Sequence, residues 1–91
     1  MLRRVIRVEN QPGLHARAAA RFVRTASRFE SQITLTSLNN AREADGKDIL
    51  GLMLLAASCG TELQITAEGA DEEAAIAELI QLVRENFQES K

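Results

Sequence analysis

The sequence predicts an α+β fold in which a four-stranded, mainly antiparallel sheet is covered on one face by three helices, in the order β-α-β-β-α-β-α. Three observations predict it. Segments 32–38 and 62–68 alternate side-chain character with the period of a half-buried strand. Segments beginning near 16, 47 and 71 carry apolar residues at helical spacing. Turn-forming residues separate the two kinds of segment, and no linker, low-complexity tract or internal repeat interrupts them.

Residues 2–9 are rich in branched side chains and read as the first strand. Pro12-Gly13 marks a turn. Helix one follows over 16–27, with Ala16, Ala19, Ala20, Val23 and Ala26 on one face. In the second strand, Gln32 to Leu38, residues Ile33, Leu35 and Ser37 face one way and Thr34, Thr36 and Leu38 the other. Asn39-Asn40 forms a turn because asparagine tolerates positive φ, and Ala41 to Ala44 is a short third strand. Asp45-Gly46 opens another turn. Lys47 to Ala57 reads as helix two, with Gly60 as its stop. Glu62 to Glu68 is the fourth strand, with Leu63, Ile65 and Ala67 inward and Gly69 at its end. Asp71-Glu72-Glu73 places acids on the first turn of the last helix, where they complement its dipole. Ile76, Leu79, Ile80, Val83 and Phe87 form that helix's apolar stripe. Residues 1–88 are expected to form a single domain and 89–91 a short C-terminal tail.

Ninety-one residues allow one modest core, and with Phe22, Phe29 and Phe87 as the only aromatic residues it must be largely aliphatic. A net charge of −2 argues against bulk affinity for nucleic acid or membrane, and so few rings leave little to stack on bases. Cys59 is the one cysteine; it permits no internal disulfide and fits a reducing compartment. It is expected to be a small buried apolar residue at a helix end, and nucleophilic chemistry is disfavoured because nothing near it in sequence would activate it. One histidine and one distant cysteine are too few soft ligands for a metal site, and no cofactor is implied. Met1-Leu2-Arg3-Arg4 enters the first strand without an apolar stretch of signal-peptide length. The longest apolar run, Ile49 to Ala57, is too short to span a membrane. A cytoplasmic location is the expectation.

The one histidine stands in Gln11-Pro12-Gly13-Leu14-His15-Ala16-Arg17-Ala18-Ala19-Ala20, where a turn gives way to helix one. His15 therefore occupies or adjoins the N-cap, with free backbone N–H groups of the first turn pointing toward its ring. Arg17 follows two positions later. An imidazole, unpaired amides, a positive helix end and a guanidinium converge, which suits a histidine that takes up an anion covalently. For His-x-Arg in isolation, the plainer reading is a structural histidine capping a helix with Arg17 solvated.

Two motifs distinguish these readings. Gly13-Leu14-His15-Ala16-Arg17-Ala18-Ala19 resembles the Gly-Leu-His-Ala-Arg-Pro-Ala motif of the histidine-containing phosphocarrier proteins (HPr) of the bacterial phosphotransferase system. Lys47-Asp48-Ile49-Leu50-Gly51-Leu52-Met53 resembles that family's second motif, Lys-Ser-Ile-Met/Leu-Gly-Val/Leu-Met. The resemblance covers nearly the whole chain and implies the open-faced β-sandwich fold. It implies that His15 accepts a phosphoryl group from Enzyme I, charged by phosphoenolpyruvate, and passes it to a IIA protein. Such a protein is a carrier and not an enzyme with its own turnover. In the family the attacking atom is Nδ1, a choice the sequence alone does not make. Backbone N–H groups of Ala16 and Arg17 would hold the phosphoryl oxygens, and the Arg17 side chain would supply a cationic fork.

The resemblance also assigns Ile49, Leu50 and Met53 to the surface that docks Enzyme I and IIA proteins; the alternative is that they are core. Ala20, Arg21, Arg24 and Lys47 belong to the same expected docking region. Arg21, Arg24 and Arg28, with Arg17 and Lys47, suggest a basic rim that steers acidic partners, against the plain alternative of a solvated helix face. A monomer without direct membrane insertion and without nucleic-acid contacts is expected. Two positions depart from the family pattern. Asp48 replaces a serine that a dedicated kinase phosphorylates in many members, so that switch cannot operate here. Asp48 is read as an acid favoured by the dipole of helix two, the alternative being a permanent mimic of the modified serine. Ala18 replaces a proline; helix propensity is kept and one amide is restored. The rival function is a regulatory HPr-like binding module, of a nitrogen-type or other branch, that docks partners without carrying flux.

Overall fold

β4 (Glu62–Glu68) organises the sheet in the computed structural model, which describes residues 1–88. The expected tail, 89–91, lies outside the described residues. β4 lies between β1 (Leu2–Arg7) and β2 (Gln32–Ser37), and β3 (Glu43–Asp45) flanks β2 on the far side. Every pairing is antiparallel, with Ile65 opposite both Arg4 and Leu35. Strict alternation fixes this register, since a one-residue slip would turn Ile33, Leu35, Leu63 and Ile65 to water. All four are fully buried, and burial is worth about 1.5–3 kcal/mol for each such side chain.

The helices α1 (Ala16–Ala26), α2 (Ile49–Leu54) and α3 (Glu72–Arg84) cover the inner face. α3 packs on β1, β4 and α1, whereas the shorter α2 packs on α1 and β3. The four-stranded antiparallel sheet with three helices agrees with the sequence expectation. Several boundaries differ. β1 stops at Arg7 and not at residue 9, although Val8 still bonds Thr61 and Gly60 across an irregular end. β3 begins at Glu43 because Ala41, at φ 62, closes the preceding turn. α2 starts two residues late and ends at Leu54, with Ala56 in the left-handed region (φ 55) stopping the chain well before Gly60. The buried face of α1 is Ala18, Ala19, Phe22 and Ala26; Ala16 is exposed and Ala20 and Val23 are half-buried. Phe22 is the largest apolar side chain on that helix, and burying it rotates the face from the one the alanines suggested. Phe87 is fully buried but belongs to a separate left-handed turn, Asn86–Gln88, and not to the stripe of α3.

Asp71 is the N-cap of α3, and Glu72 and Glu73 lie on its first turn as expected. The Asp71 side chain caps no amide of α3. The carboxylate instead accepts hydrogen bonds from the Ser31 hydroxyl, from Glu30 N–H (2.8 Å) and from Ser31 N–H (2.9 Å), pinning the start of β2. The Ser31 hydroxyl, followed by the Glu30 amide, holds the Asp71 carboxyl below its ordinary value near 3.8. A depressed folded-state value stabilises the fold above the unfolded value, and that contribution is lost as pH falls through the depressed one. The difference in melting temperature between the native protein and Asp71→Ala should therefore be full above pH ~5 and shrink below pH ~4. A difference independent of pH over that range would contradict it.

Candidate functional site

The loop between β1 and α1 builds the site from main-chain constraints. Asn10 is buried and donates from Nδ2 to the Gly13 carbonyl (3.0 Å). Gly13 adopts φ 108, and a Cβ there would lie 2.4 Å from the Ala57 carbonyl oxygen. Only glycine fits a backbone that is both left-handed and this close to its neighbour. Leu14 then buries its side chain and donates its N–H to the Ala57 carbonyl (2.8 Å), which fixes the direction in which the chain leaves toward His15. Gly13→Ala should lower stability by about 1–3 kcal/mol from backbone strain alone. Urea denaturation checks this; an unchanged midpoint would mean that the loop can relax freely.

His15 is the N-cap of α1, in extended geometry (φ −87, ψ −173), and its carbonyl accepts the first intrahelical bond from Ala19 N–H (2.7 Å). Its ring caps the helix as well: Nδ1 accepts a hydrogen bond from Arg17 N–H at 3.3 Å. This hydrogen bond aims Nδ1 at the helix start. The ring is half-buried. It borders a shallow depression of about 220 Å³ whose other walls are Pro12, Leu14, Ala56, Ala57 and Ser58. The Arg17 side chain is exposed, with no hydrogen bond or ion pair among the described residues. Ring nitrogen, first-turn amides and guanidinium therefore share one accessible end of α1.

The expected docking residues divide into two groups. On α2, Ile49 (39%), Leu50 (67%) and Met53 (40%) are exposed, while Leu52 and Leu55 take the core positions. Leu54, 70% exposed, extends the same apolar surface and was missed; its i+4 spacing from Leu50 was the available signal. The segment after α2 carries Ala56 to Ser58 beside His15, so the apolar surface is continuous in chain with the wall of the histidine site. Arg42 and Asn40 hold the Leu54 and Leu55 carbonyls (3.2 and 3.3 Å) and so finish a helix too short to stand alone. The basic rim, by contrast, is not assembled as a set. Arg21 donates to the Phe87 carbonyl (2.8 Å), Lys47 Nζ to the Phe29 carbonyl (2.7 Å), and Arg28 pairs with Glu78 (3.1 Å). These cations complete carbonyl and carboxylate partners of the fold itself, which leaves Arg17 and Arg24 as the exposed ones without such a partner among the described residues.

Two further residues of the sequence reading are Asp48 and Cys59. Asp48 is exposed at the N-cap of α2 and bonds no helix amide; its carboxylate lies over Gly51. Cys59 is exposed and not buried, with its thiol 3.5 Å from the Glu9 carbonyl. Because α2 ends at Leu54, Cys59 falls in the surface turn that leads into β4. Among the described residues no group of three or more histidine, cysteine or acidic side chains is arranged to hold a metal, and no helix is long and apolar enough to cross a membrane.

Fold and site define a class: an open-faced sandwich that presents one histidine at the start of its first helix. The comparisons name the family. The sequence pattern described as "PTS HPr component phosphorylation site" matches residues 2–85. The phosphocarrier protein HPr of Treponema pallidum is 42% identical over 98% of this chain and 99% of its own. A crystal structure of HPr from Thermoanaerobacter tengcongensis superposes with a TM-score of 0.91 at 43% identity, covering all of both chains. The HPr-like protein Crh of Bacillus subtilis is 40% identical over 93% of this chain and 98% of its own. The chain belongs to the HPr family of the phosphotransferase system, whose members are phosphocarriers and not enzymes.

Proposed function

We propose that this protein carries a phosphoryl group on His15 Nδ1, accepting it from Enzyme I and delivering it to IIA proteins in the cytoplasm. The hydrogen bond from Arg17 N–H to Nδ1 is the observation that carries the reading. It aims that nitrogen at the first-turn amides, where a phosphoryl group would be held. In the loading step the hydrogen bond from Arg17 N–H is released, the Nδ1 lone pair attacks phosphorus, a P–N bond forms, and the bond to the donor's leaving atom breaks with its electron pair. Little covalent machinery is needed; positioning and charge stabilisation do most of the work. The phosphoryl oxygens then fall beside the Ala16 and Arg17 amides, with the Arg17 guanidinium free to swing onto them. Delivery runs the same step backwards onto a IIA nucleophile. Ile49, Leu50 and Met53, widened by Leu54, form the surface on which both partners dock, and Met53 adapts to differently shaped partners.

The test is incubation with Enzyme I and phosphoenolpyruvate followed by intact mass measurement. One acid-labile phosphoryl group should be gained, located on His15 by fragmentation. Failure to load would favour the second reading, a regulatory module that docks without carrying flux, which the 39% identical solution structure of Crh, the Bacillus subtilis catabolite repression HPr, supports. Asp48 serves neither reading as a switch, because it has no hydroxyl and bonds no helix amide. Asp48→Ser should leave the loading rate within a few-fold. A loss of two orders of magnitude would assign the carboxylate a direct part in docking.

A further inference from the structure

The outer edge of the sheet carries an interaction surface separate from the histidine end. β1 is the outermost strand, hydrogen-bonded to β4 alone. Val8 donates to the Thr61 carbonyl (2.9 Å) and accepts from Gly60 N–H (2.6 Å), so its main-chain groups turn toward β4. Strand periodicity then turns the N–H and C=O groups of Arg3, Val5 and Arg7 outward, to an open edge. The Arg4 guanidinium reaches the Arg3 carbonyl (2.8 Å), one of these outward acceptors. Alongside runs a groove of about 520 Å³ between β1 and α3, with Ile6, Ala77 and Ile80 in its lining. Its charged residues are Arg4 and Arg84 against one acid, Glu73. On the opposite face of the strand stand Arg3 and Arg7, with the 55% exposed Val5 between them.

Unpaired edges invite another strand, and the arginines select which one. A second copy paired antiparallel about Val5 would set Arg3 of each chain opposite Arg7 of the other. Like charges directly opposite are destabilising, so self-pairing is disfavoured. Glu62, in register with Arg7 on β4, makes no ion pair with it among the described residues, so the cation remains available. We propose that the free edge of β1 accepts an extended acidic segment of a partner protein as a fifth strand. Carboxylates spaced i and i+4 stand opposite Arg7 and Arg3, an aliphatic residue at i+2 covers Val5, and the intervening side chains meet the groove. This surface requires nothing of His15. A partner held there leaves the phosphoryl site open, so regulation or tethering can coexist with transfer.

The probe is the peptide acetyl-Thr-Glu-Val-Val-Thr-Glu-Thr-amide, titrated to millimolar concentration and followed by amide NMR spectra. Shifts and slowed exchange are expected at the Arg3, Val5 and Arg7 amides, with smaller shifts at Ala77 and Ile80. The doubly reversed variant R3E/R7E, its fold checked by circular dichroism, should bind about tenfold more weakly. Arg84→Glu, a surface change on α3, should weaken binding in the same direction. A peptide with lysine in place of glutamate should give no shifts. Absence of shifts at β1, shifts confined to α2, equal binding by R3E/R7E, or self-association through β1 would each overturn the proposal.

Discussion

Replacing His15 with alanine is expected to abolish phosphoryl uptake from Enzyme I, a loss on the order of 10⁴-fold or more, as for removal of other covalent nucleophiles. The sequence offers no second histidine, and Cys59 lies in the turn beyond the loop that walls the site. The ring has a structural part too, since Nδ1 satisfies one of the unpaired amides of α1. Alanine therefore also costs about 1 kcal/mol of helix capping. Asparagine separates the effects: its side-chain oxygen can accept from the helix amides while offering no ring nitrogen to phosphorus. His15→Asn should recover most of the stability lost in His15→Ala and none of the uptake. Intact mass and thermal denaturation on the same samples decide it. Uptake by either variant would place the covalent step on another residue.

Arg17→Ala is expected to slow phosphoryl transfer by about 100-fold, measured by rapid quench with Enzyme I and again with a IIA acceptor. The main-chain N–H of residue 17 survives the change, so the ring should keep its orientation and the loss should reflect missing charge. A guanidinium offers planar, paired donors that suit phosphoryl oxygens; an ammonium offers a point charge. Arg17→Lys should accordingly restore part of the rate. If Arg17→Ala changed the rate by less than threefold, the amides alone would be sufficient and the guanidinium would be a solvated bystander.

Local pattern carried much of this in the sequence. The fourth strand is observed at Glu62–Glu68 as expected, because its alternation, flanking turns and central position all agree. The N-cap position of His15 was legible from a turn followed by an alanine-rich helix. What escaped depends on tertiary partners. The strict need for glycine at 13 arises from a neighbouring segment more than forty residues away, the Ala57–Ser58 backbone. No local signal reports such an approach. Asp71 reads in the sequence as an acid complementing the dipole of the last helix, and its bonds to the Glu30 and Ser31 amides, from a distant segment, leave no local signal. The length of α2 was overestimated because an unbroken aliphatic run hides the left-handed residue at Ala56. Cys59 was expected to be buried as a small apolar residue, and it is exposed in the turn before β4.

If His15 carries the phosphoryl group as proposed, one imidazole is helix cap and carrier at once, which bears on how partners tell a charged messenger from a spent one. Loading exchanges one acceptor at the helix start for several, on amides already in position, so the backbone has little reason to move. Donor and recipient must then discriminate by electrostatic potential over that small area instead of by contour. Their turn-taking is thereby exposed to ionic strength, and handover should become less orderly in brine long before the fold itself gives way.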